Sequence, residues 1–301
     1  MGLNRPQPTQ ERSPAEVPHF GTQSMTAPLR DVLVRAPDGA FGRAFDEPVH
    51  GFRHRVDLVE ARRQHEAFCS LLSALGVRVH QLEGEGLGPD SVYTYDSLLV
   101  TERGAIPLRS GKPSRRGEER AAEAWTHAAG IPTLGRIEAP ATVDGGDTFW
   151  LRPDVLCIGR SLRTNRAGAV QLAGLVGGQV ETFDLPYWRG PAELVHLLSV
   201  VSPVSDDLAV VFPPLLPAGL HELLGELGVR TLPVEEEEFG TLGCNVLAVR
   251  PGVVVLAEGN PRIAAALARA GCEVHTFEAS EIGLNGNGGP TCLTRPIWRE
   301  V

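Results

Sequence analysis

Residues 244–277 read Cys244-Asn-Val-Leu-Ala-Val-Arg250, then Val253-Val-Val-Leu-Ala257, then Asn260-Pro-Arg-Ile-Ala-Ala-Ala-Leu-Ala-Arg269, then Glu273-Val-His-Thr-Phe277. The first two runs are apolar, short and separated by only two residues, which predicts a tight antiparallel hairpin. Asn260 stands where a helix N-cap belongs, Pro261 where the first turn tolerates a missing N–H, and Gly271 just past the end. A third strand at 273–277 closes the unit. The stretch therefore predicts a ββαβ module.

The same order recurs toward the N-terminus. Residues 194–203 and 208–212 predict a strand pair, 217–227 a helix and 229–234 a strand. Residues 142–151, 155–159, 165–175 and 180–185 repeat it, as do 92–101, 105–108, a helix from Ser114 to His127, and a strand around 131–134. The first copy has a strand at 29–36, a loop at 40–55, a helix at 57–75 stopped by Gly76, and a strand at 77–82. A repeat this regular decides the fold class. A doubly wound parallel sheet would also alternate strands and helices. The tight hairpins oppose that reading, as does the lack of a Gly-x-Gly-x-x-Gly turn after the first strand. We expect an α/β fold, a five-bladed α/β propeller of ββαβ units. The last strand, carrying Cys292, would complete the first unit beside residues 29–35. Residues 28–301 would form one domain and residues 1–27, polar and proline-dotted, a disordered extension.

Composition narrows the function. The chain has 301 residues, 42% hydrophobic and 22% charged, with a net charge of −9. That charge opposes a nucleic-acid or anionic-membrane partner and suits a small cationic ligand. Five scattered cysteines without a Cys-x-x-Cys pair fit free thiols in a reducing compartment. Nine histidines show no metal-ligand spacing. With no apolar run that could span a bilayer and no signal-peptide core, we expect a cytoplasmic protein, monomer or homodimer, without membrane or metal.

Residues 285–296 read Asn-Gly-Asn-Gly-Gly-Pro-Thr-Cys-Leu-Thr-Arg-Pro, a glycine-rich run that delivers Cys292. Glycines permit positive φ and close backbone approach, so such a run can hold a nucleophile at the mouth of a site. It is equally what a buried cysteine after a flexible turn looks like. The repeat adds force to the first reading. Asp96 falls in the first strand of the second copy, Asp144 and Asp147 in the third, His196 in the fourth and Asn245 in the fifth. Rotationally related strands would bring these positions to the axis. Taken singly, His196 among leucines is what a core histidine looks like, and Asp144-Gly-Gly-Asp147 is what a turn looks like. Two inward carboxylates together call for a cation, because a buried unpaired charge is costly.

These residues, with Pro89–Asp96, Gly111–Arg116, Gly159–Asn165, Val195–Ser199, Gly243–Leu247 and Gly288–Cys292, keep the motif order of the guanidine-modifying superfamily, the penteins. The chain most specifically resembles the dimethylarginine dimethylaminohydrolases, over residue 29 to the end. The resemblance implies the pentein propeller, no metal or organic cofactor, and a small guanidine substrate. It further implies Cys292 as nucleophile, His196 as general acid/base and Asp144 as its carboxylate partner. Asp96 and Asp147 would face the guanidinium, with Asp90 supporting. Arg115 or Arg116, together with Arg163, would bind a substrate carboxylate by their forked donors. Residues 37–52 would be a substrate lid.

Two positions depart from the pattern. Tyr95 stands where these hydrolases usually carry a glutamate, which would let it stack on the substrate. Leu198 stands where arginine deiminases and amidinotransferases usually carry an aspartate. The expected reaction is therefore hydrolysis of an N-substituted arginine-like guanidine through a covalent thiouronium. The alternatives are an amidinotransferase or deiminase on the same fold, or a non-enzymatic binder of a cation.

Overall fold

A computed structural model describes residues 19–188, 190 and 195–301. Among them fourteen strands form five small sheets: β1 (Leu29–Val34), β2 (Arg78–Gln81), β3 (Leu98–Thr101), β4 (Gly104–Pro107), β5 (Thr148–Arg152), β6 (Val155–Arg160), β7 (Gln179–Asp184), β8 (Val201–Ser205), β9 (Leu208–Val211), β10 (Arg230–Pro233), β11 (Leu247–Arg250), β12 (Val253–Ala257), β13 (Glu273–Phe277) and β14 (Arg295–Arg299). Three sheets, β5-β6-β7, β8-β9-β10 and β11-β12-β13, each pair two strands antiparallel and add a third in parallel. The parallel strand is reached through a helix, the connection that parallel neighbours require: Arg166–Val176, Ala218–Glu226 and Pro261–Arg269 respectively.

The first blade is closed by the chain's own end. β14 pairs antiparallel with β1, β2 adds in parallel, and the helix Leu58–Ala74 lies between β1 and β2. The second blade is reduced. β3 and β4 pair, the helix Glu118–Ala128 follows, and the expected strand at 131–134 is a single bridge between Ala105 and Thr133. The result is a five-bladed α/β propeller.

Local chemistry accounts for the helices. Asp57 accepts from the Val59 and Glu60 amides to cap the helix Leu58–Ala74. In Pro261–Arg269, Ile263 and Leu267 share the buried face. Each such side chain contributes about 1.5–3 kcal/mol on burial. Asn260 does occupy the cap position, but its amide donates to the Thr241 and Ala257 carbonyls instead of its side chain serving the helix N–H groups. Ser114 is not a cap. It sits in a 3-10 turn at Pro113–Arg115, and Gly117 precedes the helix.

Two further expectations change. Residues 19–27 belong to the fold: the Gly21 amide donates to Ile297 O at 2.9 Å, Thr22 Oγ1 donates to Val100 O at 2.7 Å, and Met25 is buried. The expected extension at 1–18 lies outside the described residues, as does residue 194. The first strand of each blade is also shorter than its apolar run suggests. In three blades a single helical turn precedes it: Thr94–Ser97 before β3, Gly145–Asp147 before β5, Leu197–Val200 before β8. Asp96 and Asp147 lie on these turns and Asp144 and His196 immediately precede them, so none of the four is on a strand. Among the described residues, no helix is long and apolar enough to cross a membrane.

Candidate active site

The turns that lead into the strands gather at one end of the propeller, and they carry the polar residues picked out by the repeat. Asp96, Asp144 and His196 each bring one oxygen or nitrogen within 4.8 Å of the others. Such closeness needs missing side chains. A Cβ on Gly146 would stand 2.7 Å from His196 Nδ1 and 2.9 Å from Asp96 Oδ1, and one on Gly145 would strike the Tyr95 carbonyl at 2.0 Å. The two glycines let three turns interlock.

Cys292 sits in the turn before β14. Asn245 Nδ2 donates to its Sγ at 3.3 Å, while Asn245 Oδ1 accepts the Thr291 amide at 3.0 Å. The glycine run explains itself here. A Cβ on Gly289 would lie 2.5 Å from Asn245 Oδ1, and one on Gly288 2.2 Å from the Tyr93 ring. Asn287 takes a left-handed φ of 60° to complete the turn. Burial pushes the Cys292 thiol up to about 11, and the Asp96 carboxylate adds to the rise. The Gly289 amide, Asn245 and Arg115 offset only part of it. The free protein therefore holds a neutral thiol.

Asp144 is completely buried and fully engaged. Its Oδ1 accepts the Gly111 amide at 3.0 Å, and its Oδ2 accepts Arg163 Nη1 at 2.8 Å and faces His196 Nε2 at 3.3 Å. Burial resists its ionisation, but His196, Arg163 and Arg115 hold it well below the usual carboxylate range. Burial likewise opposes charge on His196, yet Asp96, Asp147 and Asp144 together raise it to about 9. The imidazole is cationic at neutral pH.

Of the other expected residues, some lie in the site and some do not face it. Asp96 accepts the Gly146 amide at 2.7 Å and pairs with Arg115. Arg115 is buried, and it also grips Glu118 and donates to the Asp90 and Tyr93 carbonyls, so its fork is committed to protein. Arg116 is exposed, with Nε on the Ser110 carbonyl at 3.4 Å. Asp147 is completely buried against Ser161 Oγ (2.7 Å) and the Leu197 amide (3.1 Å), where it fastens the turn after His196. Tyr95 turns away from the cluster: its hydroxyl donates to the Thr148 carbonyl at 3.3 Å, and Arg295 covers its ring at 3.7 Å. It therefore has no free face for a substrate. Leu198 is in the apolar core.

Asp90 reveals residues that sequence reasoning did not assign. Lys112 Nζ donates to its Oδ2 at 2.8 Å, and His50 Nδ1, from the expected lid, reaches the same atom at 2.7 Å. Burial opposes that charge too, but His50, Arg115 and Lys112 hold Asp90 at about 2. The loop itself is a short helix, Gly39–Gly42, and two 3-10 turns. No local signal pairs His50 or Lys112 with Asp90, since 40 and 22 residues separate them.

Comparison with known proteins identifies the family. The arginine deiminase family model matches residues 219–299. The N(G),N(G)-dimethylarginine dimethylaminohydrolase of Pseudomonas aeruginosa is 30% identical over 246 residues, 80% of this chain and 89% of that protein. The chain belongs to the dimethylarginine dimethylaminohydrolase family. The family member from Streptomyces coelicolor is 28% identical, covering 89% of this chain and 96% of its own. A crystal structure of a dimethylarginine dimethylaminohydrolase bearing an adduct with S-methyl-L-thiocitrulline superposes with a TM-score of 0.74 at 25% identity. That match covers 88% of this chain and 98% of the other. The family's pentein fold is thus the fold described above.

Proposed function

We propose that this chain hydrolyses an N-substituted, arginine-like guanidine, releasing an alkylamine and a citrulline-like product. One observation carries the proposal: two buried carboxylates and an imidazolium converge, and burial together with the Asp96 charge keeps the Cys292 thiol neutral, a charge that a bound cation would offset. The guanidinium is that cation. Docked against Asp96 and Asp144, it offsets the Asp96 charge that keeps the thiol protonated, so substrate binding favours the thiolate, the thiol proton leaving to solvent because His196 is already protonated. Family membership supports the reaction class, as does the S-methyl-L-thiocitrulline adduct on a member of that family.

The steps arise from the groups present. Cys292 Sγ attacks the central guanidinium carbon, and the C–N bond to the alkylated nitrogen breaks as His196 gives that nitrogen a proton. An S-linked thiouronium remains. Neutral His196 then takes a proton from water, which attacks the same carbon, and the C–S bond breaks to return the thiolate. Asp144 orients His196 throughout and steadies it whenever it is an imidazolium. Arg163 and Arg116 are the cations left to meet a substrate carboxylate, because the donors of Arg115 are bound within the protein. Arg163 would share itself between that carboxylate and Asp144. With Arg115 and Arg163 already on the two carboxylates, a dication would meet two positive neighbours; a chelator is expected to leave turnover unchanged.

The test is a screen of methylated, hydroxylated and unmodified guanidines for released amine and ureido product, with and without an added amine acceptor. Turnover of an N-alkylated arginine that Cys292→Ser abolishes, with ligand binding kept, is the expected result. Undiminished turnover after alkylation of Cys292 would exclude the mechanism.

A further inference from the structure

We propose that Glu118 is a positioning residue that sets how strongly the site holds a cation, by competing with Asp96 for the Arg115 guanidinium. The inference rests on the guanidine reading above and extends it to a side chain that the mechanism leaves unused. Glu118 opens the helix Glu118–Ala128 and is buried, as are Asp96 and Arg115. Arg115 Nε lies 3.1 Å from both Glu118 oxygens, and Nη2 donates to Oε2 at 2.8 Å. Glu118 thus takes the side-on edge of the guanidinium, in the bidentate geometry that suits arginine and carboxylate. Asp96 Oδ2 receives only the far nitrogen, Nη1, while its Oδ1 accepts the Gly146 amide. The Asp90 and Tyr93 carbonyls also accept from Nη2, and they carry no net charge. Among the described residues, Arg115 is the one hydrogen-bond partner of the Glu118 side chain.

One cation therefore serves two buried carboxylates. With Glu118 ionised, Arg115 offsets only part of the Asp96 charge, and a docked guanidinium finds the remainder. With Glu118 neutral, no other carboxylate among the described residues takes the Nε edge, and Arg115 serves Asp96 alone. An incoming guanidinium then gains less from Asp96 and meets an Arg115 charge that Glu118 no longer balances. The charged groups acting on Glu118 are Arg115 from the turn Pro113–Arg115, Asp90 from Pro89–Val92 and Asp96 from Thr94–Ser97. Asp90 is itself held by Lys112 and His50. Burial raises Glu118 to about 7; Arg115 opposes the rise, and Asp90 and Asp96 add to it. The Glu118 charge is thus present above that pH and lost below it, so cation binding should weaken as pH falls through neutrality.

Calorimetry on Cys292→Ser, with L-arginine and its neutral counterpart L-citrulline as probes, tests this. Adding Glu118→Gln should weaken L-arginine about tenfold at pH 8 and leave L-citrulline within about twofold. Glu118→Asp, which keeps the charge, should restore most of the arginine affinity. In Cys292→Ser alone the preference for arginine over citrulline should grow severalfold from pH 6 to pH 8, and with Glu118→Gln it should stay flat. Equal weakening of both probes would mean a merely structural residue and overturn the proposal, as would no weakening of either. If Glu118→Gln does not fold, the pH dependence of that preference in Cys292→Ser decides, a flat profile overturning the proposal. No binding of either probe to Cys292→Ser would instead overturn the guanidine reading, and this proposal with it.

Discussion

Asp144 and Asp147 stand three residues apart around one turn, both completely buried and both acted on by His196, yet they ionise differently. On the axis side, Asp144 accepts from a guanidinium and an imidazolium and stays ionised through the working pH range. Asp147 accepts from the Ser161 and Thr164 hydroxyls and from the Leu197 amide. Burial lifts it to about 6; His196 and Ser161 oppose the rise, and Asp144 adds to it. Equal burial thus gives unequal ionisation, because the charge of the partners decides it. On the proposed mechanism Asp144 serves His196, while Asp147 holds the turn in place.

The largest expected effect breaks the axis side. Asp144→Asn should lower kcat about a thousandfold, the scale on which an imidazole-orienting carboxylate acts. Steady-state kinetics check this, with circular dichroism to confirm folding.

Gly146→Ala keeps every charge but drives a methyl into His196 and Asp96. A displacement of about an ångström should cost roughly a hundredfold in kcat. Unchanged kcat would mean that the turns need not interlock.

The pH dependence of stability separates the two sides further. His196 is raised from 6.5 to about 9, so its contribution is complete below pH 6.5 and disappears as pH rises through 9. The loss amounts to about 3 kcal/mol. Denaturant melts of the protein and of His196→Asn across that window should differ by this amount and converge at high pH.

Asp147→Asn should have the smallest effect. Asp147 is raised from 3.8 to about 6, so its ionisation destabilises the fold progressively across that window and by a constant amount above it. The asparagine keeps an oxygen for the Leu197 amide and carries no charge. It should melt no lower than the parent at pH 8, with kcat within about threefold. A thousandfold loss here would place Asp147 in the chemistry.

Much of this was legible in the sequence because it depends on local chemistry. The hairpins, the helix with Asn260-Pro261 at its start, and the strand that returns beside β1 are dictated by apolar period, turn residues and chain order. The convergence of Asp96, Asp144, His196 and Cys292 was implied by the repeat. The turns before the strands were not legible. Thr94–Ser97 and Leu197–Val200 are too short to show a helical period, and each reads as continuous with the strand after it.

The sequence by itself determined the blades and the residues brought to the axis, since periodicity and chain order are one-dimensional properties. Only the tertiary structure decided which way each side chain faces and which charge it meets. It turned Tyr95 under Arg295, committed Arg115 to Asp96 and Glu118, and set His50 and Lys112 on Asp90. Those pairings join residues up to 200 positions apart. Their energies come from burial and partner charge, quantities that exist only once the chain has closed on itself.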